Sequence, residues 1–154
     1  MNKDEIYRLL ICQLASLIDG EDNETGVLAN VSAALSSSMP QFFWKGFYLV
    51  SGEELRLGPF QGTIACYHLP FNKGVCGTAW AEKHTLVVPD VDAFPGHIAC
   101  SSLSRSEIVV PLIGANGNVW GVLDIDSKEL ATFDEIDKFY LEELATMLSK
   151  QLKK

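Results

Sequence analysis

The chain has 154 residues, of which 47% are hydrophobic and 21% are charged, with a formal net charge of -8 at pH 7. This composition is typical of one folded domain, predicted to span residues 1–154, and it argues against disorder. The negative charge disfavours nucleic acid and anionic membranes as partners, and without a run of about 18 apolar residues no membrane-spanning segment is predicted.

The first forty residues predict two helices. Residues 3–18 place apolar side chains at helical spacing, at Ile6, Leu10, Leu14, Leu17 and Ile18. A second helix is predicted from Glu24 to Ser38, ended by Pro40, with an apolar face formed by Leu28, Val31 and Leu35. Because charged residues interrupt the first segment, no signal peptide is predicted and a cytoplasmic location is expected.

The middle of the sequence mixes strand and helix patterns. Aromatic and β-branched residues predict a strand at Phe42–Val50, and a second strand follows at residues 55–60. The stretch "GVCGTAWAEK" predicts a short helix beginning at Gly74, and residues 85–88 predict a short strand. Residues 90–105 have weak periodicity and predict a long loop, a feature that is more often functional than a short one.

The last third predicts a hairpin and a helix. The segments "SEIVVPLI" and "VWGVLDID" predict two strands joined by a turn at Asn116-Gly117. Thr132 and Glu135 predict a capping box at the start of a final helix, with apolar positions at Phe139, Leu141, Leu144 and Leu148. Helices at both ends with strands between them predict an α+β fold with an antiparallel sheet.

Three of the four cysteines lie among small residues, which leave room for a reactant to approach sulfur: Cys66, Cys76 and Cys100. Cysteine attacks only as the thiolate, and His97 or nearby backbone N–H groups could favour that anion at Cys100. An oxidised thiolate needs a second thiol to rescue it, so the three form a coherent redox set. The alternative is that they are buried small hydrophobic side chains. Cys12, among leucines in the first helix, is interpreted as such a structural residue.

Acidic residues form a second candidate group. Asp124 and Asp126 lie two residues apart on one face of a strand, and Glu107 begins the strand predicted to pair with it. Three carboxylates that converge in a cavity would bind an ammonium group, and one could donate a proton if its pKa is raised. The alternative is a solvated strand end. Trp44 is likewise either a core residue or a pocket wall.

Zinc is a competing interpretation of the cysteines, since three of them and a histidine could supply four ligands. Structural zinc sites favour close cysteine pairs, and no two cysteines here have that spacing. No metal site is therefore predicted.

The same stretches resemble the free methionine-(R)-sulfoxide reductases, a family built on a GAF-type domain. The likeness runs from Ile6 to the final helix, and its motifs are "WKGFYL", "LGPFQGTIACYHLP", "GVCGTAW", "FPGHIACSSLSRSEIVVPL" and "GVLDIDS". The resemblance implies a GAF-like, six-stranded antiparallel sheet flanked by helices. It also implies a homodimer that needs no cofactor, reduces free methionine sulfoxide and is recycled by thioredoxin.

The resemblance further implies a role for each candidate residue. Cys100 matches the catalytic cysteine, Cys66 the main resolving cysteine that forms a disulfide with it, and Cys76 an additional one. The carboxylates around the substrate and the aromatic residue near its methyl group match four further positions: Glu107, Asp124, Asp126 and Trp44. His97 lies within a matching motif without an assigned role.

A second hypothesis is a non-enzymatic GAF-type module that binds a small ligand or senses redox state through its thiols. Such a module would share the fold and even the disulfide. The complete set of cysteines and carboxylates favours the enzyme, because a sensor has no need of all of them.

Overall fold

A computed structural model describes all residues, 1–154, and contains four α-helices, six strands and one short 3-10 turn. In chain order these are α1 (Lys3–Ile18), α2 (Glu24–Ser38), β1 (Trp44–Ser51), β2 (Glu54–Gln61), β3 (His68–Pro70), α3 (Gly74–Glu82), β4 (Leu86–Val88), the turn Val91–Ala93, β5 (Ser106–Ile113), β6 (Val119–Ser127) and α4 (Glu135–Gln151). The strands form one antiparallel sheet in the order β3-β2-β1-β6-β5-β4. The predicted α+β class and the six-stranded antiparallel sheet are confirmed.

The two faces of the sheet are covered differently. Helices α1, α2 and α4 pack on one face, where 22 buried residues form the larger core cluster. Helix α3 and the long loop after β4 cover the other face, where a cluster of 11 buried residues includes Trp44, Tyr48 and Cys76. Alternation along β1 separates the two, because Phe47 points into the larger core and Trp44 and Tyr48 point to the other side. The candidate site therefore lies on the face with a single helix.

The helix bounds of α1 and α2 agree with the prediction, but three side chains do not lie where it placed them. Leu17 on α1 and Phe139 on α4 are 56% and 61% exposed. The buried face of α1 instead runs through Tyr7, Leu10, Leu14 and Ile18, one position away from Leu17. Cys12 is also exposed, so its interpretation as a buried structural residue is wrong. The spacing of apolar residues predicts a helix, but it does not determine which residues at the border of the apolar face become buried.

The hairpin between β5 and β6 is confirmed, but its turn is longer than the predicted two residues. Ile113 pairs with Val119, so residues 114–118 form the connection. Gly117 has a positive φ of 83° and donates its N–H to the carbonyl of Gly114 over 2.9 Å. This geometry is that of a longer hairpin loop closed by a glycine in the left-handed region.

The predicted capping box of the last helix is wrong by two residues. The N-cap of α4 is Asp134, whose side chain accepts hydrogen bonds from the N–H groups of Ile136 and Asp137. Asp137 in turn accepts from the N–H of Asp134 over 2.9 Å. Thr132 donates its hydroxyl to Ser127 instead, over 2.6 Å. The box is formed by two aspartates rather than by threonine and glutamate.

Strand β3 has no counterpart among the predicted elements. It is three residues long and pairs with β2 through Leu69 opposite Leu55. None of the helices has the length and apolar character needed to cross a lipid bilayer.

Candidate active site

Strand register brings the three predicted acidic residues together. In the β5–β6 ladder, Glu107 lies opposite Asp126 and Val109 lies opposite Asp124. Residues that face each other across an antiparallel pair share a face of the sheet, as do residues two apart. The carboxylates of Glu107, Asp124 and Asp126 therefore project from the same face, the one covered by α3. Glu107 and Asp124 are both 6% exposed.

Helix α3 presents Cys76 to this carboxylate group. The sulfur of Cys76 and carboxylate oxygens of Glu107 and Asp124 all lie within 4.8 Å of one another. These three atoms could serve as cation ligands, whether the cation is a metal ion or an ammonium group. One oxygen of Asp124 (Oδ1) is buried and has no hydrogen-bond partner in the protein. A buried, unpaired acceptor of this kind indicates a place where a ligand donor fits.

Burial disfavours the ionised forms of these groups. It is the main cause that raises the pKa of Glu107 well above its usual range, with repulsion from Asp124 and Asp126 adding to it. Burial raises the pKa of Asp126 well above its range too, partly offset by a hydrogen bond from Ser104. The pKa of the Cys76 thiol is raised by burial and then by the neighbouring acids. These shifts favour the protonated carboxyl groups, which are able to donate a proton, and the thiol form of Cys76.

An aromatic wall lies beside the acids on β1. Trp44 pairs with Asp126 across the β1–β6 ladder and donates its indole N–H to the carbonyl of Thr63 over 3.0 Å. Its ring stacks on Phe60, at 5.1 Å between centroids, and on Tyr48, at 5.8 Å. These contacts hold the Trp44 ring in one orientation, because both of its neighbours are themselves packed in the smaller core.

The other two cysteines are joined. Cys66, in the loop between β2 and β3, and Cys100, in the long loop after β4, form a disulfide that spans 34 residues of sequence, with 5.5 Å between their Cα atoms. Both are half-buried. Cys76 and Cys12 are free thiols. The bridge ties together the two loops that cover this end of the sheet.

These groups surround one cavity of about 50 Å³, lined by 18 residues, ten of them hydrophobic. Six of the seven predicted site residues line it: Trp44, Cys76, Cys100, Glu107, Asp124 and Asp126. The seventh, Cys66, reaches the cavity only through its disulfide partner Cys100. His97 also lines the wall. The cavity thus combines an acidic floor, an aromatic side and a disulfide-bonded sulfur.

Among the cavity residues absent from the predicted set, three bear on the chemistry of the site: Tyr48, Ser104 and Lys73. Tyr48 lies four residues after Trp44 on the same face of β1, so period-two spacing could have identified it. Ser104 donates its hydroxyl to Asp126 over 2.8 Å, and Lys73 precedes α3 at the cavity edge. Both lie in irregular segments, where sequence periodicity carries no signal about facing.

Comparison with known proteins agrees with this arrangement. A family model described as "GAF domain" matches residues 16–150. The chain is 55% identical to GAF domain-containing protein A of Dictyostelium discoideum over 96% of its length and 92% of that protein. It is 45% identical to the free methionine-R-sulfoxide reductase of Saccharomyces cerevisiae, over 97% of this chain and 87% of the relative.

A solved structure provides the same comparison in three dimensions. The free methionine-R-sulfoxide reductase of Neisseria meningitidis, determined in complex with its substrate, superimposes with a TM-score of 0.95 at 51% identity. The match covers 99% of this chain and 91% of that one. The chain belongs to the free methionine-R-sulfoxide reductase family of GAF-domain proteins.

Proposed function

We propose that this chain reduces free L-methionine (R)-S-oxide to L-methionine, with Cys100 as the attacking thiolate and Cys66 as the resolving thiol. The observation that carries the proposal is the Cys66–Cys100 bridge at the edge of a cavity whose floor is three carboxylates. A sulfur that attacks substrate must touch the cavity, and a sulfur that resolves must reach the first. Cys100 and Cys66 meet these two requirements respectively.

The acidic floor suits a free amino acid rather than a residue in a peptide. A free amino acid carries an α-ammonium group, which the carboxylates of Glu107 and Asp124 would accept together with the unpaired Asp124 oxygen. A peptide nitrogen offers one N–H and no charge. A peptide-bound substrate would leave buried acceptors of the site unpaired. Unpaired buried acceptors cost free energy, so the site would bind the free amino acid in preference to the peptide.

The α-carboxylate would lie beside the first turn of α3. That turn begins at Gly74, includes Cys76, lines the cavity and has no side-chain cap. Uncapped N–H groups at a helix N-terminus bind anions, and Lys73 adds a positive charge at the same edge. Because Cys76 lies next to Glu107 and Asp124, the anion site and the cation site are adjacent, as the two groups on an α-carbon require.

The apolar end of the substrate would lie against the aromatic wall. Trp44 and Tyr48 line the cavity, and their rings stack on one another. A methyl group held there leaves the sulfoxide sulfur free to face Cys100. The fixed ring of Trp44 would orient the two substituents of the sulfoxide and so select one configuration at sulfur.

The reaction then proceeds in three steps. The Cys100 thiolate attacks the sulfoxide sulfur. The S–O bond breaks as the oxygen is transferred to Cys100, and a nearby acid supplies a proton to that oxygen. Methionine is released, and Cys100 remains as a sulfenic acid. The Cys66 thiol attacks the Cys100 sulfur, forming the disulfide and releasing water. A dithiol reductant then returns both cysteines to thiols and is itself oxidised to a disulfide.

The acidic floor would also supply the proton. Burial and then repulsion from Asp124 raise the pKa of both Glu107 and Asp126, which favours their protonated forms. An acid whose pKa lies near the working pH donates efficiently to a developing oxyanion. The same group can therefore bind the ammonium when ionised and assist oxygen departure when protonated.

Cys76 would act as a secondary thiol. It lines the same cavity as Cys100 and is free, which makes it an additional resolving residue when Cys66 is absent. Burial and the acids keep it protonated, so it would resolve more slowly than Cys66.

Thioredoxin as the reductant, a homodimeric state and a cytoplasmic location complete the proposal. Their support is the family resemblance together with the requirement for an external dithiol. Light scattering of the purified chain would test the dimer, which is expected at twice the 16.9 kDa mass of one chain.

A coupled assay tests the activity. With thioredoxin, thioredoxin reductase and NADPH, racemic free methionine sulfoxide should drive NADPH oxidation that stops after about half of the substrate. N-acetylmethionine sulfoxide, which lacks the ammonium, should support at most about one-hundredth of that rate. Equal rates on both substrates would contradict the free-amino-acid assignment. Substrate binding without any turnover would favour a sensor module instead.

A further inference from the structure

The surface around the disulfide is apolar and exposed. Ile64 is 90% exposed and Tyr67 is 75% exposed, and they flank Cys66 at two residues before it and one after it. Leu103, three residues after Cys100, is 51% exposed. The Cα atoms of the two cysteines are 5.5 Å apart, so these three residues lie on adjoining loops. We refer to Ile64, Tyr67 and Leu103 as the bridge surface, of which Ile64 also lines the cavity.

The bridge surface is also uncharged. Neither residues 61–67 nor residues 98–104 include an aspartate, glutamate, lysine or arginine, although 21% of the chain is charged and the net charge is -8. Exposed apolar side chains without charge are the composition expected at the centre of a protein contact, where charged residues are depleted. None of these three side chains packs in either of the two core clusters.

We infer that the bridge surface is the docking site for a dithiol–disulfide oxidoreductase, and that this partner attacks Cys66 before Cys100. The inference rests on the proposed function, which requires an external dithiol at the disulfide in every cycle. The occupant follows from that requirement, because a protein dithiol must bring its sulfur to the bridge and therefore covers the residues around it. The alternatives, a small monothiol or a second copy of this chain, are outcomes of the tests below.

The order of attack follows from which sulfur faces the cavity. Cys100 lines it and Cys66 does not, so Cys66 lies on the outer side of the bridge. Cys66 is also the cysteine with exposed apolar neighbours on both sides. Attack by the partner thiolate on Cys66 breaks the Cys66–Cys100 bond and releases Cys100 as a thiolate facing the cavity. The partner's second thiol then displaces Cys66 from the mixed disulfide and leaves the partner oxidised.

The first experiment separates docking from chemistry. Tyr67→Ser and Leu103→Ser should each raise the KM for thioredoxin about fivefold or more, the effect of truncating an anchor residue, while turnover supported by dithiothreitol stays unchanged. Leu17→Ser is the matched control, since Leu17 is 56% exposed on α1, away from the bridge, and this variant should behave as wild type in both assays.

The outcomes distinguish failure of the docking inference from failure of the proposed function. Turnover with dithiothreitol but an unchanged KM for thioredoxin in both variants would overturn the docking site alone. Equal support by glutathione and thioredoxin would overturn it too, because a small monothiol needs no surface. A change in oligomeric state in Tyr67→Ser or Leu103→Ser would assign the surface to a second copy of the chain. No turnover with dithiothreitol in the wild type would instead refute the reductase function.

The second experiment tests the order of attack. Thioredoxin whose second active-site cysteine is replaced by serine traps the mixed disulfide, and an alkylating agent then blocks the released thiol. Trypsin places the three cysteines of this region in separate peptides, residues 57–73, 74–83 and 84–105. Mass spectrometry should find thioredoxin joined to peptide 57–73, which contains Cys66. Predominant linkage to peptide 84–105 would overturn the proposed order.

Discussion

At the scale of single residues, the site depends on carboxyl groups kept away from water. Glu107 and Asp124 are buried side by side, and neither forms a salt bridge. Folding therefore favours their protonated forms, and the site is less stable than an apolar one of the same shape would be. Replacing such a buried acid by a neutral residue is therefore expected to raise stability and to lower activity.

Glu107→Gln tests that opposition. The pKa of Glu107 is raised in the folded protein above the value of about 4.3 expected in the unfolded chain. As the pH rises from that value towards the folded pKa, the unfolded state loses its proton first and wild-type stability falls. Glutamine does not titrate, so the variant should be more stable than wild type at pH 8, with a smaller difference at pH 5.

The same variant should lose activity. Removal of one acceptor and one acid group should lower kcat/KM on free methionine sulfoxide by about a hundredfold. Urea unfolding at the two pH values and steady-state kinetics provide the measurements. An unchanged kcat/KM would remove Glu107 from the site, and a variant less stable than wild type at pH 8 would contradict its raised pKa.

Ser104 should set the protonation of Asp126. Its hydroxyl donates a hydrogen bond to Asp126 over 2.8 Å, which stabilises the carboxylate and lowers its pKa. Ser104→Ala removes the bond, so the pKa of Asp126 should rise and the alkaline limb of the kcat/KM profile should move to higher pH. Ser102→Ala, an exposed neighbour, is the control and should leave the profile in place. Identical profiles for all three proteins would show that Asp126 does not govern the limb.

Much of this residue-level picture could be predicted from the sequence. Period-two spacing placed Asp124 and Asp126 together, and the hairpin brought Glu107 opposite. Cys66 and Cys100 could not be paired by spacing, and their pairing came from the family resemblance. Ser104 was missed because its loop has no periodic pattern, whereas Tyr48 was missed although it lies at even spacing from Trp44 on β1.

At the scale of elements, α1 and α4 are joined by a buried aspartate. Asp137, whose side chain is fully buried, accepts the Tyr7 hydroxyl over 2.6 Å and the Lys3 ammonium over 2.7 Å while it closes the capping box with Asp134. Its partner in the box, Asp134, is 54% exposed. The sequence predicted the helix but not its cap, because several polar residues before α4 have cap chemistry and only tertiary contacts choose among them.

The two aspartates should therefore differ in their contribution to stability. Asp137→Ala leaves the buried Tyr7 hydroxyl without its acceptor and removes the shorter of the two ion pairs of Lys3, so it should lower the free energy of unfolding by about 2–3 kcal/mol. Asp134→Ala removes mainly a cap and should cost about 1 kcal/mol. Urea denaturation gives both values. Equal losses, or a larger loss for Asp134→Ala, would contradict a central role of Asp137 in joining α1 to α4.

At the scale of the whole molecule, the sheet lies between the larger hydrophobic core and the candidate active site. Three helices and the larger core lie on one face, while the other face carries a single helix, two loops and the cavity. The loops are tied together by the Cys66–Cys100 bridge, so reduction of the bridge should loosen the cover of the cavity. The sequence predicted the long loop and the cysteines but not that two distant loops enclose one cavity, since that depends on the strand order.

Reduction of the bridge should be measurable as a loss of stability. A disulfide that closes a loop of 34 residues restricts the unfolded chain by about 3–4 kcal/mol in the loop-entropy account. The reduced protein should accordingly unfold at a lower temperature than the oxidised protein, and Cys66→Ser should match the reduced form. Calorimetry on the three samples provides the test, and identical melting temperatures would indicate that the bridge does not restrain the fold.

Methionine yield in the absence of any reductant shows whether Cys100 is the cysteine that attacks the substrate. Pre-reduced wild type and Cys66→Ser should each form about one methionine per chain in the first round, because oxygen transfer to Cys100 needs no second thiol. Cys100→Ser should form none. A full equivalent of methionine from Cys100→Ser would contradict the account.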